Sequence, residues 1–169
     1  MSVRHFEPPP DALHFESPDG VVLLWLPAQG IVAARALGFV TGEVASAAYA
    51  AIDAMPSTPL EGFLDLGTAT GFDWSARMRV FRWNVRHVDP KMRFDLLITS
   101  RFERSTRLLS HLLGDRVRLH SEPMTFDAAY GLAVRRKTRA SLRPPRGHDV
   151  DPAQREGRGG GNPSRDRQA

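Results

Sequence analysis

The sequence contains no cysteine. That excludes structural disulfides, thiolate metal sites and cysteine nucleophiles. It has no apolar run approaching the ~20 residues that a membrane-crossing helix needs. The first ten residues, MSVRHFEPPP, lack the apolar core of a secretory signal. The expectation from these absences is a soluble, cytoplasmic protein. Lysine is nearly missing, with arginine outnumbering it 21 to 2. GC-rich coding produces the same skew, so arginine alone is a weak functional sign.

Several chemical signatures are also missing. Gly67-Thr68-Ala69-Thr70-Gly71 is followed by Phe72-Asp73. It lacks the Gly-Lys-Ser/Thr ending that reaches phosphates and magnesium, so it reads as a plain turn. The six histidines, His5, His14, His87, His111, His120 and His148, include no pair at the close spacing of a helical metal site. No serine lies in a Gly-x-Ser-x-Gly elbow. The expectation is no metal, no cofactor and no catalysis.

What is present is enough for one domain. The chain has 169 residues and 41% hydrophobic content, which supports a sizeable core. Its net charge of +4 is unevenly placed. Residues 135–169 hold ten Lys or Arg and four Asp or Glu, giving +6, and the preceding 134 residues total −2. The folded part is nearly neutral, so nucleic-acid binding by the domain is not implied. Residues 1–11, with Pro8-Pro9-Pro10, read as an extended arm. The domain is expected over 12–134. Beyond Val134, proline, glycine, serine and charge dominate, which predicts a basic disordered tail over 135–169.

Along the domain, Leu13 to Glu16 alternates apolar and polar and is a weak strand candidate. Ser17-Pro18-Asp19-Gly20 is a turn signal, and Val21 to Leu26, VVLLWL, reads as a buried strand. Ile31 to Val40 follows a second turn at Pro27 to Gly30, suggesting an antiparallel meander. Thr41 is a plausible helix cap, with Glu43 in the first turn. Gly62 to Leu66 is the central strand, followed by a loop over Gly67 to Phe72 and a helix opening at Asp73. Met92 to Ile98 is the next strand. A helix with the capping form Ser100-Arg101-Phe102-Glu103 and an apolar face of Leu108, Leu109, Leu112 and Leu113 follows it. Val117 to Leu119 is a weak strand, and Pro123 starts a last helix with Phe126, Ala129, Tyr130 and Ala133 inward. Strands alternating with helices predict a parallel second half. The whole is an α/β fold with a mixed sheet: an antiparallel start, then β-α-β-α-β-α.

The helix after Asp73 has two patterned faces. Trp74, Met78, Phe81, Val85 and Val88 recur at steps of four and three, which predicts a core stripe. Ser75, Arg79, Arg82 and Arg86 recur on another face. Ser75 lies in the first turn, where backbone N–H groups are unpaired and the dipole is positive. A phosphate there would gain those amides and Arg79. The plain alternative is a solvated arginine face. Trp25 and Trp74 read as packing residues. Trp83 falls off the stripe and is either partly buried at the sheet edge or an exposed anchor for a partner.

The strand Phe63-Leu64-Asp65-Leu66 and the helix start Asp73-Trp74-Ser75-Ala76 resemble the central motif of STAS domains, the anti-sigma-factor antagonists of SpoIIAA-like fold and their sulphate-transporter relatives. The family pattern is an apolar strand ending Leu-Asp-Leu, a loop, then Asp-Ser-Ser-Gly opening a helix. The resemblance runs from about Leu13 to Val134 as element order, and is similar to divergent bacterial members bordering on CRAL-TRIO-like proteins. It implies four to five strands with helices packed on the sheet, and a regulatory protein that is not an enzyme. It implies phosphorylation at Ser75, and a protein partner such as an anti-sigma factor or serine kinase. Trp74 stands where the family has a small residue, and Ala76 where it has glycine. The partner-binding candidates are Asp73, Trp74, Ser75, Arg79, Arg82, Trp83 and Arg86. The alternative implied is a small-molecule or anion-binding module using the helix N-terminus at Asp73 to Ser75. Nothing in the sequence specifies an oligomeric state.

Overall fold

A computed structural model describes residues 6–55, 60–86, 92–102 and 114–142. The chain opens with three strands, β1 (Leu13–Ser17), β2 (Gly20–Ala28) and β3 (Ile31–Val40). They pair antiparallel through the two expected turns. In the first turn the Ser17 hydroxyl donates to the Gly20 carbonyl at 3.3 Å. In the second, Gly30 takes a φ of 75°, a left-handed value that glycine adopts without steric cost.

Helix α1 (Gly42–Asp53) starts at Thr41, whose hydroxyl accepts from the Val44 N–H at 3.5 Å. Strand β4 spans Glu61–Phe72 and pairs parallel with β3. Helix α2 (Trp74–Arg86) follows it directly. Strand β5 (Arg93–Leu97) pairs parallel with β4, and β6 (Val117–His120), entered through a single 3-10 turn at Gly114–Arg116, pairs parallel with β5. The last helix, α3, runs from Pro123 to Ser141, continuing well past Val134. The expected helix with Leu108 to Leu113 falls on residues 103–113, outside the described residues.

Among the described residues the sheet has six strands in the order β1-β2-β3-β4-β5-β6, antiparallel at the start and parallel thereafter. The count of four to five that the resemblance implies is therefore too low. Both weak strands persist because the tertiary structure supports them. β1 pairs along its full length with β2 across a tight turn. β6 pairs with β5, and the buried His120 places Nε2 2.7 Å from Asp95 Oδ1.

The loop expected over Gly67 to Phe72 is instead the second half of β4. Two register shifts against β3 absorb its irregularity. Glycines serve close approach here: a Cβ on Gly71 would lie 2.9 Å from the Phe39 ring. The Gly67 N–H donates to Asp65 Oδ1 at 2.8 Å. A glycine pair that signals a turn in sequence therefore marks bulged strand in the fold.

Each sheet face carries its own core. On one, Val44, Ala45 and Ala48 of α1 and Ala76 of α2 pack with Ala36, Leu66 and Leu96. On the other, Phe126, Tyr130 and Ala133 of α3 pack with Trp25, Ile31 and Phe63. The proline-rich arm joins this second core. Phe6 is buried among Trp25, Phe126 and Tyr130, and its N–H donates to Asp127 Oδ1 at 2.6 Å. Arg35 holds the arm from below, donating to the Phe6 carbonyl at 2.7 Å and to Asp65 Oδ2 at 2.9 Å.

Candidate functional site

The end of β4 delivers Asp73 to a junction between two helices. Its Oδ1 accepts from the Ala76 N–H at 2.6 Å, which caps α2. Its Oδ2 accepts from the Gly42 N–H at 2.9 Å, at the start of α1. One carboxylate therefore spans the positive ends of both helices. The two amide bonds, that to Ala76 first, hold its pKa below the usual carboxylate range. Gly42 is required by the closeness of the helices: a Cβ there would sit within bonding range of the Ser75 hydroxyl.

Ser75 is exposed, and its hydroxyl donates to Asp73 Oδ1 at 3.0 Å. Arg79 is not brought to it. That side chain turns towards α1, where Nε donates to the Ser46 hydroxyl at 3.2 Å. Arg82 and Arg86 are exposed. The predicted arginine face thus divides, with Arg79 facing α1 and the other two facing solvent. The amides expected to meet an external anion already meet Asp73, so an incoming anion would have to displace that carboxylate.

Trp74 lies opposite to the core stripe prediction, and of the two readings of Trp83 the buried one holds. Trp74 is 74% exposed and Phe81 43% exposed, whereas Trp83 is 6% exposed. Trp83 is therefore no partner anchor. Its Nε1–H donates to Asp53 Oδ1 at 2.7 Å, and its ring lies 5.0 Å from Tyr49 and 6.5 Å from Phe94. The inward side of α2 is Ala76, Val80 and Trp83, about half a turn from Trp74, Met78 and Phe81 at 100° per residue. The reason is steric. The α1–α2 junction leaves no room for a large residue at the start of α2, and Ala76 fills that place with 0% exposure.

The outward side of α2 carries an apolar stripe, Trp74, Met78 and Phe81, flanked by exposed Arg77 on one side and Arg82 on the other. No acidic residue occurs in α2. The sequence reading missed Gly42, Arg77 and the exposure of Phe81. The sequence signal that could have revealed this is the small residue Ala76, which identifies the side of closest helix approach.

Among the described residues, no group of three His, Asp or Glu could hold a metal ion. Among them, too, no helix is long and apolar enough to cross a membrane.

No protein-family model matches the sequence, and no curated protein matches it. Solved structures do. A protein of the DUF3478 family with a SpoIIAA-like fold, from Shewanella loihica PV-4, aligns with a TM-score of 0.53 and 13% identity, over 65% of this chain and 93% of its own. A sulfate transporter family protein from Wolinella succinogenes aligns with a TM-score of 0.50 and 15% identity, over 66% of this chain and 93% of its own. At these identities the likeness is one of fold, and this chain has a STAS-like, SpoIIAA-like fold.

Proposed function

We propose that this chain is a non-catalytic, cytoplasmic regulatory domain that binds a protein partner through the outward face of α2. The observation that carries the reading is the pair of exposed aromatics Trp74 and Phe81, with half-buried Met78 between them, edged by Arg77 and Arg82. Large aromatics exposed together and edged with arginine are the residue types that anchor interfaces. The absence of acid from α2 selects an acidic partner surface with an apolar centre. The STAS-like fold supports an interaction role, with an anti-sigma factor or a serine kinase as the partner class.

Ser75 is the switch in this reading. A phosphate there would add about −1.5 to −2 charges beside Asp73. It would compete with that carboxylate for the amides of Gly42 and Ala76, and so alter how α2 is seated against α1. The anion-binding alternative is weaker, because Asp73 already occupies those amides.

The test begins with capture of partners by the wild-type chain, identification by mass spectrometry and measurement of Kd for the identified protein. Trp74→Ala with Phe81→Ala, and separately Arg82→Glu, are expected to weaken that affinity at least tenfold while the melting temperature is retained. Affinity should also fall with added salt. Ser75→Asp is expected to weaken binding and Ser75→Ala to retain it. Equal affinities for wild type and the stripe variants would sink the interface. Equal affinities for both Ser75 variants would remove the switch alone.

A further inference from the structure

Helix α3 packs on the sheet through Phe126, Tyr130 and Ala133, and its opposite side faces solvent. On that side Met124, Ala128, Leu132, Arg135, Arg139 and Leu142 follow one another at steps of four or three residues, so they share one face. All six are exposed, Met124 by 71%, Leu132 by 63% and Leu142 by 77%. A lone exposed leucine is ordinary. Three large apolar side chains along one helix face make a patch, and such patches mark contact surfaces.

The charge on this surface has one sign. Between Asp127 and Asp149 the sequence holds six Lys or Arg and no acidic residue. Asp127 itself is turned to the N-terminal arm, where it accepts from the Phe6 N–H. Glu61 meets Arg136 at 2.6 Å and Lys137 at 3.7 Å, whereas among the described residues Arg135 and Arg139 form no ion pair. Cations in the last turns of a helix complement its dipole. That accounts for the arginines but not for the leucines beside them.

Apolar and basic side chains sharing one exposed helix face fit a surface that is anionic outside and hydrocarbon beneath. A bilayer with acidic headgroups is such a surface. Arginine can lay its stem along apolar surface while its guanidinium stays with phosphate. Nucleic acid is anionic too, but proteins that hold single strands along a basic surface stack the bases on aromatic rings. α3 exposes no aromatic ring.

We infer that α3 docks the chain on an anionic lipid surface, with Arg135 and Arg139 against lipid phosphates and Leu132 and Leu142 seated among the headgroups. α1 and α2 pack on the other face of the sheet. The inference is therefore independent of the partner-binding reading of α2, and a chain docked in this way directs that helix away from the bilayer.

The test is cosedimentation of the full chain with vesicles of phosphatidylcholine, with and without phosphatidylserine. Wild type is expected to bind only the vesicles that contain phosphatidylserine, and to leave them as salt is added. Arg135→Ala with Arg139→Ala should weaken binding about thirtyfold, each arginine being worth about fivefold at such a surface. Leu132→Ser with Leu142→Ser should weaken it at least about tenfold, because hydrocarbon contact is lost with no change of charge. Both pairs are exposed, so both variants should melt near the wild-type temperature. A single-stranded oligonucleotide serves as the competing polyanion. The inference is overturned by a wild type that ignores phosphatidylserine, or by either variant binding vesicles as the wild type does. It is overturned equally by a chain that binds the oligonucleotide and not the vesicles.

Discussion

Asp73 sits where two helix ends converge and accepts from an amide of each. A carboxylate whose pKa is lowered by folding stabilises the native state above its unfolded value, about 3.9 for aspartate. That stabilisation is lost as pH falls through the lowered folded value. Asp73→Asn keeps an acceptor at the cap but removes the charge. Wild type is therefore expected to be the more stable protein above about pH 4, with the gap closing as the medium becomes more acidic. Thermal melts of both proteins across that range check this. All other carboxylates are common to the two, so their difference isolates Asp73. A gap that does not change with pH would mean that the junction depends on geometry and not charge. At this scale the sequence was informative: an aspartate ahead of a helical pattern is a cap signal. Its second bond, to Gly42 on α1, connects residues 31 apart in sequence and has no local signature.

Helix α2 shows where periodicity fails. It carries two apolar stripes, and a 3.6-residue period locates stripes without saying which one faces the core. The bulkier one, with Trp74 and Phe81, was the natural choice from sequence, and it lies outside. The structure predicts opposite outcomes for the two tryptophans. Trp83→Ala should cost about 3 kcal/mol, since it removes a buried ring and a hydrogen bond to Asp53. Trp74→Ala should change stability by less than about 0.5 kcal/mol, as exposed substitutions do. Urea unfolding of both variants measures this, and reversed costs would mean that the helix is turned half a rotation from its described position. Strand β4 posed a similar problem. Gly67 and Gly71 are turn residues by local rule, but they continue a bulged strand because β3 pairs alongside it to Phe72. By contrast, Thr41 capped its helix and Pro123 began one as read, because those signals act within a single turn.

The order of elements across the molecule was readable because turns and helix starts are local, and short connections leave few topologies open. The two ends of the domain were not, and they should behave oppositely. Phe6 is one aromatic in a proline-rich arm, with no periodicity to announce it, yet three aromatic rings of the second core surround it. At the other end, α3 runs on to Ser141, through residues whose composition alone reads as tail. Helix propensity and the Arg136 bond to Glu61 at 2.6 Å favour that extension. From residue 143 onwards the sequence holds no leucine, isoleucine, methionine or aromatic residue, and so has little to bury. Ending the chain after Leu142 should therefore shift the melting temperature by no more than about 2 °C, which for a domain of this size is well under 1 kcal/mol. Phe6→Ala should cost about 3 kcal/mol by the transfer and cavity terms of a buried ring. Calorimetry of the two variants beside the full chain checks both. A drop of about 5 °C or more on truncation would show that residues 143–169 bind the domain, and a Phe6→Ala that melts with the wild type would show that the arm is not part of the core.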